Sequence, residues 1–527
     1  MGSNNSKLIE EADGKKRYLV HYGEGFRYER MPRGTRVIYP PPPLEPIADR
    51  RSAIEQAIDH PLESDPLDAR LKRGMKVTIA FDDLSLPLPP MVLPDIRQTM
   101  IEVLLERLDR AGVEDIHLMA ATGLHRFMRP GELRRVMGKA IFDRFWPDRL
   151  YNYDAEDPDG NVDLGKTDEG EDVEVSRRAV DSDLLLYVNI NLTSMDGGPK
   201  SLTTGISTYR SIRHHHVPHA LLGAKSLMDP SNSKFHDSLG RIHKRIMEHI
   251  KLFTIETTLN TDSFPGWLGY LQKSESKFST WDRLNFLVNR HSLPILPYAL
   301  RRKIFLSICS PYGLTGVTAG KSEPVHKKTL EAIHKQQVVQ VDGQTDVLLM
   351  GIPYLGPYDL ASDMNPLLVW CLGLGYIFNM YIGKPLVREG GVVILYHPLE
   401  NRFDPVHHPS YIDFYEKILP ETREPEEIHR RYEKEYATNP RYIDLYRNHY
   451  AYHGVHPFYM WTWGVSAMKH LSKVIAVAPK DAAVAERLGM EVAASLDEAL
   501  EMASGATGPN PSMSYFHFPP IFLAHVS

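Results

Sequence analysis

The sequence predicts an α/β protein of two domains, each built on a mainly parallel sheet with helices packed against it. Three observations carry that expectation. The chain has 527 residues, short β-rich runs alternate with helix-patterned segments, and acids, glycines and histidines gather just after those runs. A chain this long outgrows a single hydrophobic core.

Composition narrows the class. Hydrophobic residues make up 42% and charged residues 24%, the balance of a soluble globular protein. A net charge of -6 offers no global basic surface, so nucleic acid is not an expected partner. No apolar run reaches the roughly 18 residues of a membrane span, so no membrane partner is expected either. The two cysteines, Cys309 and Cys371, form no CxxC pair, which argues against a disulfide framework and cysteine-ligated zinc and suits a cytoplasmic location. The N-terminal residues lack a secretory signal's apolar core, and Gly2 to Ser6 matches the myristoylation pattern only loosely.

Residues 1–60 read as an N-terminal extension whose YPPPPLEP (Tyr39 to Pro46) favours an extended strap. Residues 61–275 read as the first α/β domain. There KVTIAFDD is a β-rich run ending in acids, DIRQTMIEVLLERLDRAG has helical spacing closed by Gly112, and DIHLMAATG is a second strand. The helix-like PGELRRVMG and a third strand, DLLLYVNIN, follow. Residues 276–335 read as a helical connector. In 336–527, TDVLLMGIP, GGVVILYHP and KVIAVAP are strands of a second α/β domain.

Open α/β sheets bind ligands at the carboxyl ends of their strands. Three such ends carry unusual chemistry: FDDLSLPLPP, ATGLHR, and GGPKSLTTGISTYRSIRHHH (Gly197 to His216). ATGLHR sets a close-approach loop beside His125, where a helix start would offer N–H groups to a phosphate and the imidazole would act as a base. The third stretch reads as a polar loop holding a reactive amine, Lys200, and three histidines. Read singly, each of these residues has an ordinary structural or solvated alternative.

Together they resemble the nickel-pincer nucleotide enzymes typified by lactate racemase. ATGLHR with RPGELRRVMG is similar to that family's ATG-x-HR loop and helix. GGPK resembles its GG-x-K stretch, with 16 positions from Lys200 to His216. The segment Leu164 to Leu186 is similar to the one leading into the family's next strand. The resemblance implies a two-domain fold with the cofactor site at strand ends near the interdomain cleft. It further implies a pyridinium-3,5-bisthiocarboxylic acid mononucleotide carrying nickel, joined covalently to Lys200, with His216 as the metal ligand; soft sulfur with imidazole suits Ni(II). Gly123, Gly197 and Gly198 would allow close backbone approach, and Asp83 and Ser85 would hold the ribose or phosphate side. His125 would be the first catalytic base. His214 and His215 fall outside the ligand register, although on a pleated strand His214 would share the face of His216.

The sequence departs from the family at two positions. The second base should stand ten residues before Lys200, where Ile190 lies between Asn189 and Asn191; Asp196 is the nearest replacement candidate. The substrate-facing arginine is replaced by Leu86, which cannot form a carboxylate fork. The expected function is therefore an isomerase, a racemase or epimerase of a 2-hydroxy acid other than lactate, a larger or sugar-derived acid included, working by hydride transfer at C2. Its partners would be that small molecule and the cofactor biosynthesis proteins. An oxidoreductase or lyase with the same hydride chemistry and a non-catalytic cofactor binder stay open as alternatives. HGVHPFYMWTWG (His453 to Gly464) is the leading C-terminal candidate for substrate contact, and ENRFDPVHHP (Glu400 to Pro409) a weaker one.

Overall fold

A computed structural model describes residues 8–85, 89–222 and 225–527; Leu86, whose change from arginine bears on the substrate, and Gly2 to Ser6 lie outside the described residues. The architecture is α/β with mainly parallel sheets. The first sheet runs in the order Leu314–Gly320, Leu252–Leu259, Leu184–Asn191, Lys76–Asp82, Asp115–Ala121, Leu150–Asn152. All pairings are parallel except that of Leu314–Gly320 with Leu252–Leu259. Parallel strands are covered on both faces, which is why all eight residues of Leu184–Asn191 are buried and apolar alternation is lost there.

The second sheet centres on Thr345–Pro353, with Val387–Tyr396, Lys473–Val477 and Glu491–Ala493 on one side and Met513–Phe516 on the other, all parallel. Residues 9–38, grouped from sequence with an extension, supply this sheet. Arg36–Ile38 pairs with Met513–Phe516, Ile9–Glu11 adds an antiparallel edge, and the hairpin Arg17–Gly23/Phe26–Arg30 joins at Ile352 and Pro353. These partners lie hundreds of residues away, so local pattern gives no sign of them. The proline segment then crosses to the first sheet. The main chain of Leu44 bonds Gln336 and Asn260 at 2.9 Å each, and Ile47 N donates to Leu314 O at 2.7 Å.

The region read as a helical connector holds helices Thr280–Ser292 and Tyr298–Leu306, yet it also contains the edge strand Leu314–Gly320. LTGVTAG has two glycines and few large apolar groups, a weak strand signal that ladder pairing overrides. Among the described residues, no helix is long and apolar enough to cross a membrane.

Candidate active site

Strand Lys76–Asp82 delivers two consecutive acids to the carboxyl edge of the first sheet. Arg97, on the neighbouring helix Ile96–Arg110, holds them there. It is 1% exposed and pairs with Asp95 at 2.8 Å, while its Nη1 donates to the carbonyls of Asp82 (2.8 Å) and Asp83. Its signal in the sequence was an arginine inside the apolar pattern of a helix, two residues after the acidic N-cap Asp95. Arg97→Met should lower stability by about 3–5 kcal/mol, because it leaves the buried Asp95 carboxylate unpaired; a shift in the urea unfolding midpoint measures it.

Asp83 turns toward His125. Its Oδ2 lies 3.0 Å from His125 Nδ1, and its oxygens also accept from Ser85 N (2.9 Å) and Ser85 Oγ (3.0 Å). Burial alone would raise the Asp83 carboxyl, but the imidazole and the two Ser85 bonds outweigh it and hold the group below its usual range. Asp83 and Ser85, expected to hold a nucleotide, thus orient a histidine. The helix after ATGLHR starts only at Pro130, so the loop offers no helix terminus to a phosphate. Gly123 N and His125 N are already bonded to Gly205 O and Thr122 O at 3.0 and 2.8 Å. Tyr446 and His453 of the C-terminal half clamp the same loop through the carbonyls of Gly123 and Leu124.

The stretch read as one loop forms two helices, Pro199–Gly205 and Tyr209–His216. The glycines before Lys200 have φ of +79° and +55°, a region that disfavours side chains. The crowding that excludes a Cβ comes from Asn191 at Gly197, from the His326 ring at Gly198, and from Thr204 O, 2.2 Å away, at Gly123. Glu256, buried in strand Leu252–Leu259, accepts from Gly198 N at 2.7 Å and contacts His326 at 3.2 Å. An acid within an otherwise uncharged, buried strand was the missed sign of this support.

Lys200 Nζ has one long contact, 3.4 Å to Asp196 Oδ1. The other Asp196 oxygen accepts from Leu192 N, Thr193 N and Thr193 Oγ1 at 2.9–3.2 Å. Asp196 therefore closes the turn that presents Lys200.

The triple histidine lies on a helix, not a pleat, so its members point in three directions. His214 bonds Asp172, and the wholly buried His215 meets Thr204 Oγ1 at 3.3 Å. His216 Nδ1 bonds Ile212 O at 3.0 Å, one turn back, which assigns the ring proton to Nδ1 and leaves the Nε2 lone pair available. Burial pushes its pKa down to about 3, keeping the ring neutral near pH 7. Tyr459 and Trp463 stack on it, with centroids at 4.7 and 6.0 Å.

These groups meet in two adjoining cavities of about 90 and 70 Å³. Ser85, His125, Asp196 and Lys200 line both; Asp83 and Gly197 line the first, His216 the second. Gly123 and Gly198 stand behind the walls. The helix His456–His470 contributes His456, Tyr459, Met460 and Trp463 to the second cavity, and Tyr358 and Tyr376 complete its aromatic side. The His407/His408 segment does not line it; His408 supports Tyr358 through the carbonyl at 3.0 Å. Among the described residues no cluster of three or more His, Cys, Asp or Glu is arranged to hold a metal ion.

Sheet order, strand-end cavity and facing aromatic helix define an α/β protein with mainly parallel sheets and its reactive groups at strand ends. Residues 22–227 match the lactate racemase N-terminal domain, so that part of the chain is similar to that family's N-terminal domain. Among solved structures, the lactate racemase apoprotein from Thermoanaerobacterium thermosaccharolyticum is similar at 15% identity and a TM-score of 0.63, over 96% of this chain and 99% of that one. A structural-genomics protein from Thermotoga maritima is similar at 14% identity and a TM-score of 0.52, over 91% and 97% of the two chains. At these identities the likeness concerns the fold. No curated protein matches the sequence.

Proposed function

We propose that the protein is a cytoplasmic, nickel-pincer nucleotide-dependent racemase or epimerase of a 2-hydroxy acid other than lactate. The observation that carries this reading is that Lys200 and His216 line one cavity, the lysine with, among the described residues, a single 3.4 Å hydrogen bond and the histidine with its Nδ1 already bonded. These residues fit such a group. The amine would be acylated by it, and the neutral imidazole would give nickel one nitrogen while the pincer brings the other donors. When bound, the group supplies an acceptor that takes hydrogen with its electron pair from C2 and returns it.

The chain's own residues handle the proton and the orientation. His125 takes the hydroxyl proton, and Asp83, 3.0 Å from Nδ1, fixes the ring and stabilises the imidazolium. The lining of tyrosine, tryptophan and imidazole supports a substrate larger than lactate, held by stacking and hydrogen bonds. Ile190, where a second base would stand, supports a second reading, an oxidoreductase or lyase that works on one face only.

The test is intact-protein mass spectrometry after co-expression with the cofactor-making enzymes, followed by a screen of 2-hydroxy acids for exchange of the C2 hydrogen. Exchange with inversion supports the racemase; exchange with net keto-acid release supports the second reading. His216→Ala should remove most of the bound nickel, whereas His214→Ala and His215→Ala should retain it, as metal analysis of the loaded proteins will read. Equal losses from all three would count against His216 as the ligand.

A further inference from the structure

Strand Lys76–Asp82 ends in one carboxylate, Asp82, and the residue after it carries a second, Asp83. Asp83 goes to His125, in the loop after strand Asp115–Ala121. Asp82 goes to the other neighbour, Leu184–Asn191. Its Oδ2 accepts from Ile190 N at 2.7 Å, and Asn189 Nδ2 stands 3.1 and 3.3 Å from its two oxygens. These partners are neutral amides. The nearby guanidinium of Arg97 bonds the Asp82 main-chain carbonyl.

Asp82 is partly exposed, and it lines the cavity that also holds His125, Asp196 and Lys200. The titratable or charged groups around it are Asp83, Tyr187, His125, Asp196, Lys200 and Arg97. Burial pushes its carboxyl up to about 7, with the bond from Ile190 N opposing and the charge of Asp196 adding. Acylation of Lys200 would remove a positive charge from the same cavity and favour the protonated acid further. Asp196, by contrast, has three donors on one oxygen and Lys200 on the other.

We infer that Asp82 is the second proton-transfer group of this cavity, exchanging a proton with the substrate hydroxyl when His125 does not. Ile190 has no titratable side chain, but its N–H fixes a carboxyl that does the work in its stead. The inference rests on the racemase reading. In one direction the substrate O–H bond breaks and the proton passes to neutral His125. When hydrogen and its electron pair return to C2, the O–H of protonated Asp82 breaks and its proton goes to the oxygen, restoring the hydroxyl. His125 then loses a proton to solvent and Asp82 regains one, so charge and redox state balance. In the reverse direction the carboxylate of Asp82 accepts and protonated His125 donates.

Two measurements test it. In the cofactor-free protein, NMR of ¹³Cγ-labelled aspartate should show one carboxyl with a midpoint near 7, absent from Asp82→Asn. In the loaded enzyme, given each enantiomer of 3-phenyllactate, Asp82→Asn should keep the mass increment and nickel yet lose about 10²–10⁴-fold in racemisation. It should also lose the pH-rate limb near that midpoint, and Asp82→Glu should recover part of the rate. If Asp82→Asn removes no carboxyl that titrates above the ordinary carboxylate range, or if it matches an active parent enzyme in rate and pH profile, the inference falls while the racemase reading stands. A parent protein that carries the cofactor but exchanges no C2 hydrogen overturns both.

Discussion

Lys200→Ala is expected to abolish the covalent mass increment of the loaded protein and, with it, nickel retention. The loss should be complete, because in the proposed function the amine would be the group acylated and no second lysine lines either cavity among the described residues. The scaffold should survive. The turn before Lys200 is held by Glu256 on Gly198 N at 2.7 Å and by Asp196 on Thr193 N at 2.9 Å, neither of which involves the lysine side chain. The substitution removes only the 3.4 Å contact to Asp196. Lys200→Arg makes a second test, since a guanidinium stays protonated and is a poor acyl acceptor. Intact mass and metal content read both variants. An increment that persists in either would exclude Lys200 as the attachment point.

His125→Ala should leave attachment and nickel unchanged and reduce turnover about 10²–10⁴-fold, the usual effect of losing a general base. The residue sits in a loop fixed by main-chain bonds at 2.8–3.1 Å and its side chain bonds Asp83, so it can be removed without breaking a hydrogen bond to the lysine or His216. Asp83→Asn should act through the same ring. It exchanges a carboxylate for an amide at 3.0 Å from Nδ1, keeps the shape, and should lower the rate less than removal of the imidazole. The pair is read by turnover of the identified substrate with cofactor content measured in parallel. Full activity in His125→Ala would remove this base from the mechanism.

The strands that form the site were legible because burial on both faces leaves a run such as LLLYVNIN almost wholly apolar in its first half, and because acids and glycines mark where the run ends. His125, Lys200 and His216 stood out through order and spacing along the chain. Arg97 and Glu256 were passed over because their importance lies in what they touch: an arginine with 1% exposure bonded to the carbonyls of a neighbouring strand end, and a buried carboxylate under a glycine turn. Their local pattern, a charge inside a run of buried positions, signals burial but not which groups they hold. Asp82 was read only as half of an acidic pair, since its separation from Asp83 depends on which neighbouring strand each side chain meets.

By itself the sequence determined the α/β class, the alternation of strands and helices in both domains, and the three strand-end segments that carry reactive side chains. Periodicity and turn residues encode those features locally, within a few residues of where they act. Tertiary structure alone decided the rest. It joined residues 9–38 to a sheet whose strands begin more than 300 positions later, set the triple histidine on a helix with only His216 in the cavity, and closed that cavity with Tyr358, His456 and Trp463. It also sent Asp83 to His125 and Asp82 to Ile190. Each of these is a pairing between distant segments, chosen by hydrogen bonding and burial in the folded chain, and no local preference of either partner specifies it.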